Sequence, residues 1–242
     1  MAQLFDDERK YPDNRARDNF VFLGYPYDPA LPRDDYRRVV KDLERELPVR
    51  LWYFLDEVTT AEMMRKIWRA ILRSDLCIFD TSRGNPNVAF ELGLALAQGK
   101  SCITVHKTGE PNPLGSADLG YAERSEYNSA GTLKDAFAKL LTTKTTALKK
   151  IKEVSYSLFE SGGPKTREEL ETATRSLLNT VFTGRMVTKA QAEKLFGDRK
   201  LADAALNKLR EFGVLQVVGQ RRGAKWALAN DWVYHDHEVA GE

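Results

Sequence analysis

The sequence has few of the residues on which metal centres, disulfide frameworks and membrane spans depend. Its 242 residues include two cysteines and three histidines, and they show no Cys/His spacing of a zinc site. No apolar run approaches the roughly 18 residues that a membrane-spanning helix needs. The N-terminal stretch is charged and has no apolar segment typical of a secretion signal. We therefore expect a cytoplasmic protein with no metal, no cofactor and no membrane partner.

Two common phosphate-binding motifs are also missing. No GxGxxG fingerprint of dinucleotide-binding domains follows the first apolar run. The segment GLALAQGKS (93–101) has one residue more between its glycines than a P-loop has, and it runs from a helix into a strand. Cys77 and Cys102 both fall in apolar, strand-like runs, which predicts free, buried thiols.

Charge is distributed unevenly along the chain. Residues 161–229 contain 13 Lys and Arg against 7 Asp and Glu, a net charge of +6, whereas residues 1–160 are neutral and residues 230–242 carry only acids. A basic block of this kind indicates an anionic partner for the second half of the chain.

Strand and helix signals alternate in the first half. Short apolar runs are followed by segments with apolar residues at intervals of three and four. The predicted strands are 19–27, 49–57, 75–82, 100–107 and 124–128, and the predicted helices are 33–47, 59–74, 86–99 and 131–142. This alternation predicts an α/β domain whose parallel sheet has about five strands, helices on both faces and a flavodoxin-like strand order.

The pattern changes after SGGPK (161–165), which has the composition of a linker. Three helices, at 167–182, 188–196 and 199–212, precede two strands around a polar turn, which predicts a small winged helix-turn-helix domain. The predicted divisions are a flexible arm (1–18), the α/β domain (19–142), a connecting helix and linker (143–165), the winged helix (166–232) and an acidic tail (233–242).

Polar side chains occur where the predicted strands end, which is where open α/β sheets bind ligands. The candidate substrate-binding residues at these ends are Gly24, Tyr25, Tyr27, Asp56, Asp80, Ser82 and His106. Strands commonly end in polar turns, so this placement is also compatible with a purely structural role.

One acid, Glu91, lies in an otherwise apolar helix. Asn85 and Pro86 suit the cap and the first position of that helix. The residues that helical spacing places on its buried side are Val88, Leu92, Ala95, Leu96 and Gly99. A partly buried anion is costly unless it is used or paired. Glu91 is therefore either a functional carboxylate facing the crevice, which we favour, or a structural one that is ion-paired or exposed.

The segment FDTSRGNPNVAFELGLALAQGKSCITV resembles the nucleoside 2-deoxyribosyltransferase-like and TIR-like superfamily. Members often have a strand that ends in Asp, an Asn-Pro-Asn-Val-like turn, and Glu-Leu-Gly on a helix. The segment ADLGYAERSEYNSAGTLKDAFAKLL is similar to the closing segment of that family, so the resemblance covers roughly residues 19–142.

The resemblance implies that Glu91 is the nucleophile, that Asp80 contacts the nucleobase, and that Tyr25 orients the nucleophile, with Tyr27 as the competing tyrosine. Asn85 stands where deoxyribosyltransferases have an acid. Asn85 and Asn87 are further candidates for substrate contacts.

A carboxylate suits the chemistry of this family. Cleavage of an N-glycosidic bond develops positive charge at C1′, which an anion about 3 Å away stabilises or traps covalently. A raised pKa would let Asp80 protonate the departing base. The resemblance implies an N-glycosidase-type enzyme acting on a nucleotide or NAD-like substrate. The alternatives are a non-catalytic, nucleotide-sensing DNA-binding regulator and a TIR-like assembly scaffold.

Basic residues occupy the parts of the predicted winged helix that suit nucleic-acid phosphates. The candidates are Arg199, Lys200, Asn207, Lys208, Arg210, Arg221, Arg222 and Lys225. The alternative is a protein-interaction module with a solvated basic face. The pairing of domains resembles the effectors of bacterial retron defence systems, whose partners are a reverse transcriptase and its RNA–DNA product. We expect a homo-oligomer or a part of a larger complex.

Overall fold

The computed structural model describes most of the chain. The described ranges are 16–26, 30–53, 61–112, 123–162, 164–182, 186–219 and 224–229. Tyr27, Asp56, Arg221 and Arg222 lie outside these described residues, as do most of the predicted N-terminal arm and all of the predicted acidic tail.

Cα proximity divides the chain into two compact units, one formed by residues 1–44 with 49–145 and the other by residues 45–48 with 146–242. The first unit contains a five-stranded sheet. Its strands are β1 (Arg17–Gly24), β2 (Arg50–Tyr53), β3 (Ser74–Asp80), β4 (Ser101–Lys107) and β5 (Glu123–Tyr127). All neighbouring strands are parallel, in the order β2-β1-β3-β4-β5. The predicted parallel sheet is confirmed, and its strand order is that of flavodoxin-like proteins.

Helices cover both faces of this sheet. They are α1 (Arg33–Glu46), α2 (Ala61–Arg73), α3 (Pro86–Ala97) and α4 (Ala130–Lys144). Helices α1 and α4 share one face, where the rings of Tyr36 and Phe137 are 6.0 Å apart. Helices α2 and α3 contact each other, and α3 lies on the opposite face, where Glu91 approaches Gly24.

The centre of the sheet forms the core of the first unit. The central strands β1 and β3 are buried over most of their length, because a parallel sheet covered by helices on both faces has no solvent side. Cys77 and Cys102 are neighbours in register on β3 and β4, and both are buried free thiols, as predicted.

The described residues of the second unit form four helices and a pair of antiparallel strands. They are α5 (Thr146–Glu160), α6 (Arg167–Phe182), α7 (Lys189–Phe196), α8 (Arg199–Glu211), β6 (Leu215–Val218) and β7 (Lys225–Leu228). Strands β6 and β7 are antiparallel. Val187, which lies between α6 and α7, also pairs with Trp226 of β7 through two backbone hydrogen bonds of 2.9 and 2.8 Å.

Local signals determine the turn between α7 and α8. Thr188 and Gln191 form a capping box at the start of α7, and Gly197 ends that helix with φ = 65°, a conformation that glycine adopts without steric cost. The Asp198 side chain then accepts a hydrogen bond from the backbone N–H of Leu201 at 2.8 Å and caps α8.

The segment predicted to connect the two domains belongs to the second unit. Helix α4 extends to Lys144, and α5 begins at Thr146. Helix α5 buries Ile151, Val154 and Leu158 and packs against α6 and α8. The division therefore falls at residue 145, because the apolar residues of α5 are buried within the second unit. Among the helices of the described ranges, none has the length and apolar character needed to cross a membrane.

Candidate active site

The turn between β3 and α3 places Glu91 at the carboxyl edge of the sheet. The side-chain oxygen of Asn85 accepts hydrogen bonds from the backbone N–H groups of Asn87, at 2.9 Å, and Val88, at 3.3 Å. Pro86 occupies the first helical position. The predicted cap is confirmed, and it uses the Asn85 oxygen that was a candidate for substrate contact. The Asn87 side chain is exposed beside it.

The same turn contains the one non-glycine residue of the described ranges with a positive φ, Arg83 at 62°. Its backbone N–H donates to the carbonyl of Pro111 at 2.7 Å, and its guanidinium pairs with Glu110 through contacts of 2.9 and 3.0 Å. Backbone strain of this kind costs on the order of 1–3 kcal/mol and is concentrated at functional sites. Sequence reasoning missed Arg83 and Glu110, because no sequence pattern distinguishes an arginine in this conformation.

Gly24 allows the Glu91 carboxylate to lie against the end of β1. A Cβ atom at Gly24 would collide with the ring of Phe79 and lie 3.1 Å from Glu91 Oε2. Phe79 is the register partner of Gly24 on β3. The absence of a side chain at this point therefore brings the ring and the carboxylate together at the carboxyl edge.

Glu91 is partly buried on α3. Val88 and Leu92, on its buried side, are 1% and 2% exposed, as the helical spacing predicted. Burial alone raises the pKa of Glu91 to about 8, since removal from water disfavours the charged carboxylate. The prediction was wrong for Leu96, which is 37% exposed, and for Gly99, which is also exposed. Helix α3 is apolar on nearly every side, so helical spacing could not identify its solvent face, and the helix ends at Ala97, before Gly99.

Asp80 lies beneath the surface and is 1% exposed. Its Oδ2 accepts a hydrogen bond of 2.6 Å from the hydroxyl of Tyr127, and its Oδ1 accepts one of 3.0 Å from the backbone N–H of Ser82. Burial raises the pKa of Asp80, and the hydrogen bonds from Ser82 and Tyr127 offset part of that rise. Tyr127, which sequence reasoning did not select, is the aromatic residue that ends β5.

Ser82 and His106 connect the ends of neighbouring strands. Ser82 is fully buried, and its hydroxyl accepts a hydrogen bond of 2.8 Å from the backbone N–H of Lys107. His106 lies 3.6 Å from Glu126, its register partner on β5. Both candidates therefore stabilise the carboxyl edge through contacts within the protein.

Tyr25 makes no hydrogen bond to Glu91. Its hydroxyl is buried and has no hydrogen-bond partner among the described residues. Its ring packs against Tyr36 of α1, with centroids 3.9 Å apart. Since side chains alternate along a strand, Gly24 faces the α3 side of the sheet and Tyr25 faces the α1 side. The structure brings Gly24 and Glu91 together on one face and places Tyr25 with Asp80 on the other.

The basic candidates of the second unit are mostly exposed. Those exposed to solvent are Arg199, Lys200, Asn207, Arg210 and Lys225. Lys208 is partly buried and lies 3.3 Å from Glu211. Across the described part of the chain, no three side chains of His, Cys, Asp or Glu are grouped as metal ligands.

We predict that Gly24→Ala lowers the free energy of unfolding by about 1–3 kcal/mol, because the added methyl group collides with Phe79 and presses on Glu91. The matched control is Gly93→Ala on α3, where a Cβ atom meets nothing within 4 Å and the helix gains roughly 0.5–1 kcal/mol. Urea denaturation measures both. Equal stability of the two variants would contradict the close approach at Gly24.

We also predict that the free energy of unfolding of Glu91→Gln rises relative to that of the parent as pH rises from about 4.5 to about 8. The folded parent keeps the proton on Glu91 up to about pH 8, whereas the unfolded chain releases it near 4.5. Unfolding therefore releases a proton in this window, so the stability of the parent falls as pH rises. Denaturation across a pH series checks this, with the exposed Asp135→Asn as control. A gap that does not change with pH would show that Glu91 ionises normally.

No protein-family model matches the chain, and no curated protein matches it significantly.

Proposed function

We propose that the first unit is an N-glycosidase-type enzyme that cleaves the bond between base and sugar in a nucleotide or NAD-like substrate. The observation that carries the proposal is the position of Glu91. Its carboxylate is partly buried at the carboxyl edge of a parallel sheet, beside the one strand end that has no side chain. This edge is where such sheets bind ligands.

The burial of Glu91 suits the proposed reaction. A carboxylate removed from water interacts strongly with positive charge that develops nearby. At C1′ that charge appears only as the glycosidic bond breaks, so Glu91 would stabilise the transition state more than the substrate. Attack by a carboxylate oxygen on C1′ would displace the base and leave a glycosyl-enzyme ester, which water then hydrolyses.

Asp80 has a supporting role in this proposal. Both of its oxygens already accept hydrogen bonds within the protein, and the side chain is almost inaccessible. We infer that Asp80 positions Tyr127 and the Ser82 turn from below. The Ser82 turn contains the strained Arg83 and leads into the cap of α3. Asp80 would therefore affect the placement of Glu91 indirectly.

For a nucleophilic Glu91, we predict that kcat/KM for base release rises with pH to a plateau above an apparent pKa of about 8, because the ionised form is required and kcat/KM reports the free enzyme. Glu91→Gln should lower the rate by roughly 100-fold or more. Chromatography of bases released from a panel of nucleosides, nucleotides and NAD measures both.

Gly93→Ala serves as control for this experiment, since it changes an exposed position of the same helix. A rate that falls as pH rises through 8 would identify Glu91 as a proton donor instead. Full base release by Glu91→Gln would remove Glu91 from the mechanism. Binding of a nucleotide without base release would favour the alternative, a non-catalytic sensor.

For the second unit we propose a winged helix-turn-helix that binds nucleic acid. The support is the order of elements α6, Val187, α7, α8, β6 and β7, in which Val187 joins the hairpin through an isolated bridge to Trp226. Helix α8 buries Leu201, Leu206 and Leu209 and keeps its polar side in solvent. In this arrangement α8 would be the recognition helix.

The charge of this unit agrees with an anionic partner. Lys200 and Asn207 lie on the exposed side of α8, two turns apart, and the net charge of residues 161–229 is +6. A role as a bacterial defence effector, with a reverse transcriptase and its RNA–DNA product as partners, stays a proposal that rests on the resemblance of the sequence.

We predict that replacing Arg221, Arg222 and Lys225 with Ala weakens nucleic-acid binding to a similar degree for all sequences, because phosphate contacts carry little sequence information. Each lost contact should reduce the log–log salt slope by roughly 0.7–0.9. Fluorescence anisotropy of labelled single-stranded, double-stranded and hybrid oligonucleotides in a salt series measures this. Lys149→Ala, an exposed lysine of α5, is the control. Identical slopes for parent and triple variant would show that these three residues do not contact phosphates.

Assembly through α3 is a further expectation. Phe90 and Leu96 of this helix are 45% and 37% exposed, and the helix has no charged residue besides Glu91. Exposed apolar surface of this kind favours association, which supports the predicted homo-oligomer. It is also compatible with the alternative function as an assembly scaffold.

A further inference from the structure

The two cysteines of the sequence are neighbours within the sheet. Cys77 of β3 and Cys102 of β4 are register partners on adjacent parallel strands. Register partners project to the same face of a sheet, and neighbouring strands lie roughly 4.8 Å apart. This separation falls within the range of roughly 4.4–6.8 Å that the Cα atoms of a disulfide span. The fold therefore holds the two thiols side by side.

The Cys77 sulfur has a neighbour that can stabilise a thiolate. Its Sγ lies 3.0 Å from the hydroxyl oxygen of Ser74, and the Ser74 hydroxyl also donates to the carbonyl of Ile71 at 2.7 Å. A serine hydroxyl can rotate its hydrogen toward a new acceptor, so it can donate to Cys77 when the thiol loses its proton. Hydrogen bonds to the ionised form of a group favour that form.

A lysine lies beside the same pair. The Lys100 ammonium donates to the carbonyls of Leu72, at 2.6 Å, and Ser74, at 2.9 Å, so it is held at the residue that also contacts Cys77. The carbonyl of Lys100 accepts a hydrogen bond of 3.4 Å from the Cys102 thiol. A cationic group near a thiol favours the thiolate, which is the form that reacts with oxidants.

The two thiols differ in acidity. Burial raises the pKa of Cys77, but contacts with the neighbouring thiol and with Ser74, together with the Lys100 charge, outweigh burial and leave the pKa below that of an ordinary thiol. The pKa of Cys102 is raised, first by its contact with Cys77 and then by burial. Cys77 is therefore the thiol that ionises first, while Cys102 keeps its proton.

The pair lies close to the amino-terminal end of β4, where the chain reaches solvent. Cys77 is 0% exposed and Cys102 is 8% exposed. Ser101, immediately before Cys102, is exposed, and Lys100 is partly exposed. A small, uncharged oxidant therefore has only a short distance to travel from solvent to the two sulfur atoms.

We propose that Cys77 and Cys102 form a site of oxidative modification, at which hydrogen peroxide or a small organic hydroperoxide converts the two thiols to a disulfide within the chain. Cys77 is the reacting thiol, and Cys102 is the thiol that resolves the intermediate. The modification is independent of the proposed function, since it requires neither Glu91 nor a nucleotide.

The reaction has two steps. The Cys77 thiolate attacks one oxygen of the peroxide, the O–O bond breaks, and the leaving hydroxide takes up the proton that Cys77 released, which gives water and a sulfenic acid. The Cys102 sulfur then attacks the Cys77 sulfur. An S–S bond forms as the S–O bond breaks, and the leaving hydroxide takes the Cys102 proton. Two thiols and one hydrogen peroxide thereby give one disulfide and two molecules of water.

Peptide mapping of the full chain tests the pairing. Trypsin releases Cys77 within residues 74–83 and Cys102 within residues 101–107. The reduced protein is treated with hydrogen peroxide, catalase stops the reaction, and the remaining thiols are alkylated in urea before an unreduced digest is analysed by mass spectrometry. We expect the two peptides to be linked within one chain and to separate after reduction with dithiothreitol. The link should form faster in the folded protein than in the urea-unfolded chain, because the fold holds the thiols together.

Two variants test the order of the steps. Cys102→Ala should stop at the Cys77 sulfenic acid, which a cyclic 1,3-diketone traps, because no second thiol resolves it. Cys77→Ala should slow oxidation of the remaining thiol about 10-fold or more, because the Ser74 hydroxyl contacts Cys77 and a hydrogen bond to a charged group is worth that much. Ser101→Ala, a change at the exposed neighbour of Cys102, is the control and should form the linked peptides as the parent does.

The opposite outcomes are equally clear, and the peptide map of the parent decides the pairing even where a variant does not fold. Thiols that stay reduced in the folded protein, under conditions that oxidise the unfolded chain, would show that burial makes them inert and overturn the proposal. Links between chains, or sulfinic and sulfonic acids in place of linked peptides, would also overturn it. Equal oxidation rates of the two single-thiol variants would overturn the assignment of Cys77 as the reacting thiol.

Discussion

The arrangement of the first unit depends on one close approach, that of the Glu91 carboxylate and the Phe79 ring to the backbone of Gly24. A Cβ atom at this position would collide with the Phe79 ring and would lie 3.1 Å from Glu91 Oε2. This contact removes the Glu91 carboxylate from water, and burial alone raises its pKa. The cap at Asn85 and the strained turn at Arg83 hold the helix in this position.

The pleat of the sheet separates two chemical environments that meet at one edge. On the α3 side lies a carboxylate among apolar groups. On the α1 side lie three tyrosines and the buried Asp80. The neighbouring residues Gly24 and Tyr25 therefore contact side chains on different faces of the sheet.

Part of the site was predictable from the sequence, namely the residues whose roles are local. The cap at Asn85 and the burial of Val88 beside Glu91 follow from chain neighbours and helical spacing, and both are confirmed. The partner of Asp80 was not predictable, because Tyr127 is 47 residues away and meets Asp80 only after β3, β4 and β5 assemble. The Arg83 backbone and side chain are bonded to Pro111 and Glu110, and Glu110 is 27 residues away in the chain.

The sequence by itself determined the order and kind of the elements, because periodicity, caps and breaks between apolar runs are properties of neighbouring residues. It therefore predicted the parallel sheet, and the helix at 167–182 to the residue. Only the tertiary structure decided which faces those elements bury. Helix α3 is apolar on almost every side, so Leu96 could be recognised as exposed only once the sheet was in place. The same holds for helix α5, whose core lies in the second unit, and for Tyr25, whose side of the sheet depends on strand pleating.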